Sequence, residues 1–452
     1  MIIRFEADNV LISVAKLYFC ALLLLIFSFW LNSDVVVIGM MGFLLTSMLL
    51  LTKEKALLLM MMAISYGDMV SLSTSYKTSL FGFVLLAFAI KGLIHLRIKG
   101  NTFILYCVFA LYMIAGLRIG QVGLLSDVQT VVNLLILYLV ASQFDSNYIN
   151  RYFYAFIGGH LIATLASLLI RHTERYSKIV SEHSVQLLNS EAMRFSGMQL
   201  DPNFFALFCV MVIAILLYML ANKAYSKNSK SIVFLINLYL LFGVLSLSKM
   251  FMGAVMLIAL YFYLCRCDIA PIKKVISVFL FGGVFALINL FTAAGVYDMI
   301  VGRFLNLNEN YGERINAMTT GRYQIWMSYI NDWGSSVENI LFGVGLAHKK
   351  IEYLGKMHHQ TFIELLYQFG ILGTSLFCAY LVSLYRMIKE KIENCKIDLK
   401  GDNLGAVGIV VILSCSLALG LFALNVNVYL LFFAFIILAN SRSKVHFSES
   451  KM

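Results

Sequence analysis

"TFIELLYQFGILGTSLFCAYLVSLY", residues 361–385, runs for twenty-five residues with a single charge, Glu364. A helix rises about 1.5 Å per residue, so a run of this length crosses a hydrocarbon core about 30 Å thick. Lipid offers no water to satisfy backbone N–H and C=O groups, and a helix satisfies them within one segment. The stretch therefore predicts a transmembrane helix. Similar runs fall near residues 11–31, 35–51, 56–70, 78–96, 102–118, 124–142, 151–170, 203–221, 231–248, 250–265, 274–293, 405–422 and 424–440, which makes fourteen spans in all. Composition points the same way. The 452-residue chain is 61% hydrophobic and 13% charged, with two prolines, and so has too little polar surface for a water-soluble globule. The expected fold class is an all-α, polytopic transmembrane helix bundle.

Lys and Arg orient such a bundle, because basic residues in short connections stay on the cytoplasmic side. With the N-terminus inside, the inner connections hold twenty basic residues, and the short outer ones hold three, Lys77, Arg118 and Lys249. Both termini are then expected in the cytoplasm. The first residues (Arg4, Glu6, Asp8) do not form a positive leader with a cleavage site, so the first span reads as a retained anchor. The net charge of +11 is mostly this topology signal, and a nucleic-acid partner is not expected. The chain divides into helices over 1–170, a first periplasmic loop over 171–202, helices over 203–293, a large periplasmic loop over 294–360, and helices with a short cytoplasmic tail over 361–452. Loops this long in compact proteins are usually functional or disordered. Their Trp, Tyr, Phe and turn glycines favour folded structure. They also carry ten basic residues, among them Arg175, Arg194 and Arg322.

All eight cysteines fall in spans or inner connections, so no disulfide framework is implied. Cys265 and Cys267 form a lone C-x-C, which is no metal signature by itself. No metal and no cofactor is expected.

The candidate chemistry lies in the long loops. In "RFSGMQLDPNFFA" (194–206), Asp201 can cap the next helix and Pro202 suits its first turn, while Asn203 follows. Arg194 offers a planar fork for phosphate or a surface salt bridge with Glu191. "TTGRYQIW" (319–326) sets Arg322 behind a glycine turn, and "LFGVGLAHKK" (341–350) supplies another. In "KMHHQTFIELLYQFGILG" (356–373), His358 and His359 precede the span. If that span begins near Thr361, His359 sits at a helix N-terminus, whose field attracts anions and disfavours imidazolium. A neutral imidazole can act as a general base. Gln360, Glu364 and Gln368 recur every four residues as one polar stripe. It faces either a wet lumen or a buried network, because a carboxylate facing lipid is costly. Arginines, a helix N-terminus and a neutral histidine suit a lipid-linked phosphate or diphosphate substrate.

These motifs resemble the O-antigen polymerase and O-antigen ligase superfamily of bacterial envelopes, with its pattern G-x-G … H-N-x-[FY]-[LI]-E … G-[IL]-x-G. Here the pattern reads Gly343 and Gly345, then His359, Gln360, Thr361, Phe362, Ile363 and Glu364, then Gly370, Ile371, Leu372 and Gly373. "RFSG…DPN" (194–203), "LSLSK" (245–249) and "TGR" (320–322) follow the family's order, so the resemblance covers about residues 190–380. Gln360 stands where Asn is usual, and Lys249 where Arg is frequent, a point charge in place of a fork. The resemblance implies a membrane-embedded, inverting, metal-independent glycosyltransferase of the GT-C type in the bacterial inner membrane. His359, Arg194 and Arg322 would be catalytic, and His358, Gln360, Glu364, Lys249, Asn203 and Asp201 would bind substrate. The donor would be a glycan on undecaprenyl diphosphate, and partners would include membrane lipid and a chain-length regulator protein. A polymerase would accept another lipid-linked repeat, and a ligase would accept lipid A-core. A flippase or transporter for the same lipid-linked sugar is the alternative from a different class, although the chain has no internal repeat of the kind a transporter shows.

Overall fold

The structure is a computed structural model and describes residues 9–73, 79–94, 100–115, 124–183, 194–221, 229–265, 322–344, 360–394, 401–402, 407–409, 411–412, 416, 427–439 and 441–442. These residues are almost wholly helical. In chain order the helices are α1 (Asn9–Trp30), α2 (Asp34–Leu50), α3 (Lys53–Ala63), α4 (Phe81–Ile94), α5 (Gly100–Ala115), α6 (Leu124–Gln143), α7 (Ile149–Ile170) and α8 (Glu174–His183). They continue with α9 (Pro202–Ala221), α10 (Ser229–Leu245), α11 (Lys249–Cys265), α12 (Arg322–Trp333), α13 (Val337–Phe342), α14 (Thr361–Glu393) and α15 (Asn427–Ala439). The only strand pairing among the described residues is a two-residue parallel ladder, Gly401–Asp402 with Ser441–Arg442.

Among the described residues, four segments are long and apolar enough to cross a membrane: Asn9–Trp30, Ser146–Ile170, Pro202–Leu220 and Thr361–Glu393. Six shorter apolar helices accompany them, at Asp34–Leu50, Phe81–Ile94, Gly100–Ile114, Val131–Gln143, Ser229–Leu245 and Lys249–Tyr261. Most of the expected spans thus coincide with helices, but the count of fourteen is not established. The expected span at 274–293 lies outside the described residues, as does most of 405–422.

The third expected span, 56–70, is an α-helix only in its first part. Its α-helix ends at Ala63 and tightens into a 3₁₀ turn over Ile64–Met69. Every residue from Ala56 to Gly67 is buried, with α1, α2, α4, α6 and α7 packed around α3. A helix that is apolar on all sides can be enclosed by protein as well as by lipid. Here protein encloses it, and Gly159 of α7 packs so closely that an added Cβ would lie 2.5 Å from the Met62 Cα.

Lysines close helix ends at one side of the bundle. Lys91 Nζ donates to Met48 O (3.0 Å) and Leu49 O (2.9 Å) at the C-terminus of α2, and also to Leu51 O. Lys391 Nζ donates to Ser142 O (2.5 Å) and Phe144 O (3.0 Å) just past α6. Cations suit these positions, where orphan carbonyls and the negative dipole end meet. At the opposite side Arg175 of α8, wholly buried, donates to Asp34 Oδ1 (2.8 Å) and Ser71 O (2.5 Å). The Arg175 charge thus belongs to the architecture of the first long loop.

Candidate functional site

Two constructions at the loop-bearing side gather the sequence motifs. In the first, the stretch before α9 is tied to the turn between α10 and α11. Arg194 donates through Nε to Ser246 O (2.9 Å) and through Nη2 to Asn203 Oδ1 (3.0 Å). Ser248 Oγ donates to the same Asn203 oxygen at 2.9 Å, and Phe195 N–H donates to Leu245 O at 3.1 Å. Asp201 Oδ1 accepts from Asn203 N–H at 2.7 Å. Asp201 therefore works as the helix cap, and Asn203 as the brace between two helices. Leu247 holds the turn with a φ of 50°, a conformation that costs a branched residue about 1–2 kcal/mol. The bonds that Leu245 O and Ser246 O make to 194–195 hold it in place.

The joint gathers charge of both signs, with the Asp201 carboxylate at the start of α9 and two basic residues beside it. The N-termini of α9 and α11 are joined through Asn203, and each presents the positive end of a helix dipole. Arg194 stands between them, and Lys249 is the first residue of α11. Arg194 and Lys249 bring a guanidinium and an ammonium to this joint, groups that suit phosphate oxygens, while the first N–H groups of α9 are already bonded to Asp201.

The second construction joins the glycine motifs. Gly343 (φ 75°, ψ 174°) and Gly370 (φ 62°, ψ −171°) lie back to back. An ideal Cβ on Gly343 would lie 2.4 Å from Gln368 O, and one on Gly370 would lie 2.4 Å from Leu341 O. Val344 N–H donates to Tyr367 O at 2.7 Å. Tyr112 Oη of α5 donates to Phe342 O (3.1 Å) and Phe369 O (2.7 Å). The loop after α13 is thereby locked into the break in α14.

Below the lock lies the polar stripe. Gln360 is the N-cap of α14, its Oε1 accepting from Ile363 N–H at 2.6 Å. Gln360, Glu364 and Gln368 are all buried, and Glu364 is 2% exposed. Its carboxyl hydrogen-bonds Gln368, and Glu364 Oε2 has no partner among the described residues. Of the two readings of the stripe, the geometry favours a protein-enclosed network over an open lumen. Tyr367 Oη donates to Asp332 Oδ2 at 2.7 Å, and the Tyr329 and Tyr367 rings meet edge to face with centroids 4.7 Å apart. Burial, with the Asp332 and Glu364 carboxylates nearby, pushes the Tyr329 phenol upward, so it stays a hydrogen-bond donor.

Arg322 is the first residue of α12. His358, His359, Gly345 and the salt-bridge candidate Glu191 lie outside the described residues. Sequence reasoning did not single out Tyr112, Tyr329, Asp332 or Tyr367. Tyr112 bonds residues 230 and 257 positions away, and no local pattern signals that; the Asp332 pairing could have been suspected from a lone acid on an aromatic helix. Compared with known protein families and curated proteins, the chain matches no family model and no curated relative.

Proposed function

We propose that the chain is a membrane-embedded glycosyltransferase that joins lipid-linked oligosaccharide repeats into a surface polysaccharide at the periplasmic face of the bacterial inner membrane. The observation that supports this reading is the placement of Arg194 and Lys249 at one joint between the starts of α9 and α11. Such a site is suited to a diphosphate held at the head of a lipid. His359, one residue ahead of the α14 N-cap, takes the proton from the acceptor hydroxyl. The acceptor oxygen bonds to the anomeric carbon as the carbon–oxygen bond to the diphosphate breaks, on opposite faces, so the configuration inverts. Arg194 and Arg322 stabilise the charge on the departing diphosphate, a role that cations fill without a metal. Both termini lie in the cytoplasm, and the two long segments face the periplasm.

The test is reconstitution of the purified chain in nanodiscs with an undecaprenyl-diphosphate-linked repeat, followed by mass analysis. Wild type is expected to yield polymer on lipid diphosphate. His359→Ala is expected to lose about 10²–10⁴-fold in rate, the usual worth of a general base. No product without added lipid A-core, but transfer with it, would make the chain a ligase. Repeats that cross the bilayer unjoined would make it a transporter and refute the proposal.

A further inference from the structure

Residues 322–342 carry an exposed apolar face. On α12, Tyr323, Met327 and Ile330 are exposed and follow one another at i, i+4 and i+7, which puts them on one side of the helix. Ile325 and Tyr329 are buried against Tyr367, and Trp333 packs on the same cluster. Gln324 and Asn331, seven residues apart and exposed, make a third side. The helix thus has one sector for protein, one that is apolar and bare, and one that is polar. In α13, Val337 is 72% exposed and Phe342 50%, with Leu341 exposed between them.

This bare face continues into the surface that a membrane would cover. Phe342 is bonded to Tyr112 of α5, flanked by the exposed Leu111 and Ile114. Gly343 is locked to Gly370, and the next residues, Ile371 and Leu372, are exposed on α14, a segment long and apolar enough to cross a membrane. The three tryptophans of the chain are Trp30, Trp326 and Trp333. Trp30 ends α1 and is exposed, Trp326 lies part-exposed on α12, and Trp333 belongs to the Tyr367 cluster instead. Tryptophan collects where hydrocarbon meets water.

We propose that Arg322–Phe342 is a membrane-surface element, with Met327, Ile330, Val337, Leu341 and Phe342 bedded in the lipid leaflet on the loop-bearing side. Its polar sector faces water, and its third sector holds α14. An interfacial helix with these three sectors sinks its apolar face about 5–10 Å into the boundary between headgroups and acyl chains. The segment then lies along the bilayer instead of standing in the periplasm. This inference rests on the apolar geometry and not on glycosyl transfer.

The experiment places single tryptophans in the full chain, in nanodiscs, on a Trp30→Phe, Trp326→Phe, Trp333→Phe background. Val337→Trp and Met327→Trp probe the face, Leu372→Trp serves as the lipid-facing reference and Gln324→Trp as the water-facing one. Brominated phosphatidylcholine is expected to quench residues 337 and 327 roughly two-fold more than residue 324, with acrylamide showing the reverse order. Quenching at 337 and 327 like that at 324 would overturn the proposal. So would protection from both quenchers, which means a protein partner or a second copy covers the face. Should the background fail to fold, the native chain is photolabelled with a diazirine phospholipid and its peptides are mapped. Labels within 322–342 support the proposal, and labels restricted to the spans overturn it.

Discussion

Alanine at Gly370 would put a methyl group where backbone already stands. The nearest atoms to an ideal Cβ there are Leu341 O at 2.4 Å and Gly343 N at 2.5 Å, neither of which can rotate aside. The conformation itself, φ 62° and ψ −171°, is close to exclusive to glycine and costs another residue about 1–3 kcal/mol. Relief of the clash requires 341–344 to lift away. That movement gives up the Val344 N–H bond to Tyr367 O and the Tyr112 Oη bond to Phe342 O, each worth about 1 kcal/mol. The expected loss is about 3–5 kcal/mol, concentrated at the junction of α13 and α14. Gly158 and Gly253 are matched controls, because an added Cβ at either meets nothing within 4 Å and alanine in a helix is favoured by up to about 1 kcal/mol. The assay is thermal unfolding of the detergent-purified chain, paired with limited proteolysis between Gly334 and Val344. Gly370→Ala should melt lower than wild type and be cut in that loop, while Gly158→Ala and Gly253→Ala should match wild type. If Gly370→Ala melts with wild type and its loop is equally protected, the lock is not what holds these segments together.

Three further substitutions read the opposite sides of the bundle. Arg175→Met removes a fully buried guanidinium from Asp34 and Ser71 O, and should cost about 3 kcal/mol in the same unfolding assay. Asp34→Asn should be comparably damaging, because the cation then loses its charged partner. Lys91→Met leaves the C-terminal carbonyls of α2 without their ammonium, and should cost about 2 kcal/mol, measured as faster amide exchange over Leu44–Leu51.

The positions of the helices were legible because a span must be both apolar and long, and both are properties of contiguous sequence. The surroundings of each helix were not. Residues 56–70 read as a span like the others because a helix enclosed by protein and one that meets lipid have the same composition, and only the contacts of α3 show which surrounds it. Asp201 as a cap was readable because a cap is local, spanning two residues to Asn203. The burial of Arg175 was not, since Asp34 is 141 residues away. The same distinction divides the site. Arg194 and Asn203 are nine residues apart and were noticed together, whereas their bonds to Ser246 and Ser248 close separations of 52 and 45. The turn itself was picked out only as a motif, with its geometry unread.

The break at Gly370 also explains why a carboxylate can sit near the start of α14. An unbroken helix from Thr361 to Glu393 has 33 residues and would be about 50 Å long, well beyond a hydrocarbon core of about 30 Å. Residues 371–393 alone reach about 35 Å and suffice to cross. The stretch before the break is therefore surplus to the crossing, and it is this stretch that carries Gln360, Glu364 and Gln368. Its surroundings come from α12 and α13, through Tyr329, Asp332 and the Gly343 lock, and not from acyl chains. A buried carboxyl with one oxygen unpartnered among the described residues is then a feature enclosed by protein, where it can be kept without the cost of facing lipid. The two glycines bring a polar helix start and the long loop segment together, so the glycine motifs and the Gln360–Glu364 motif are parts of one joint.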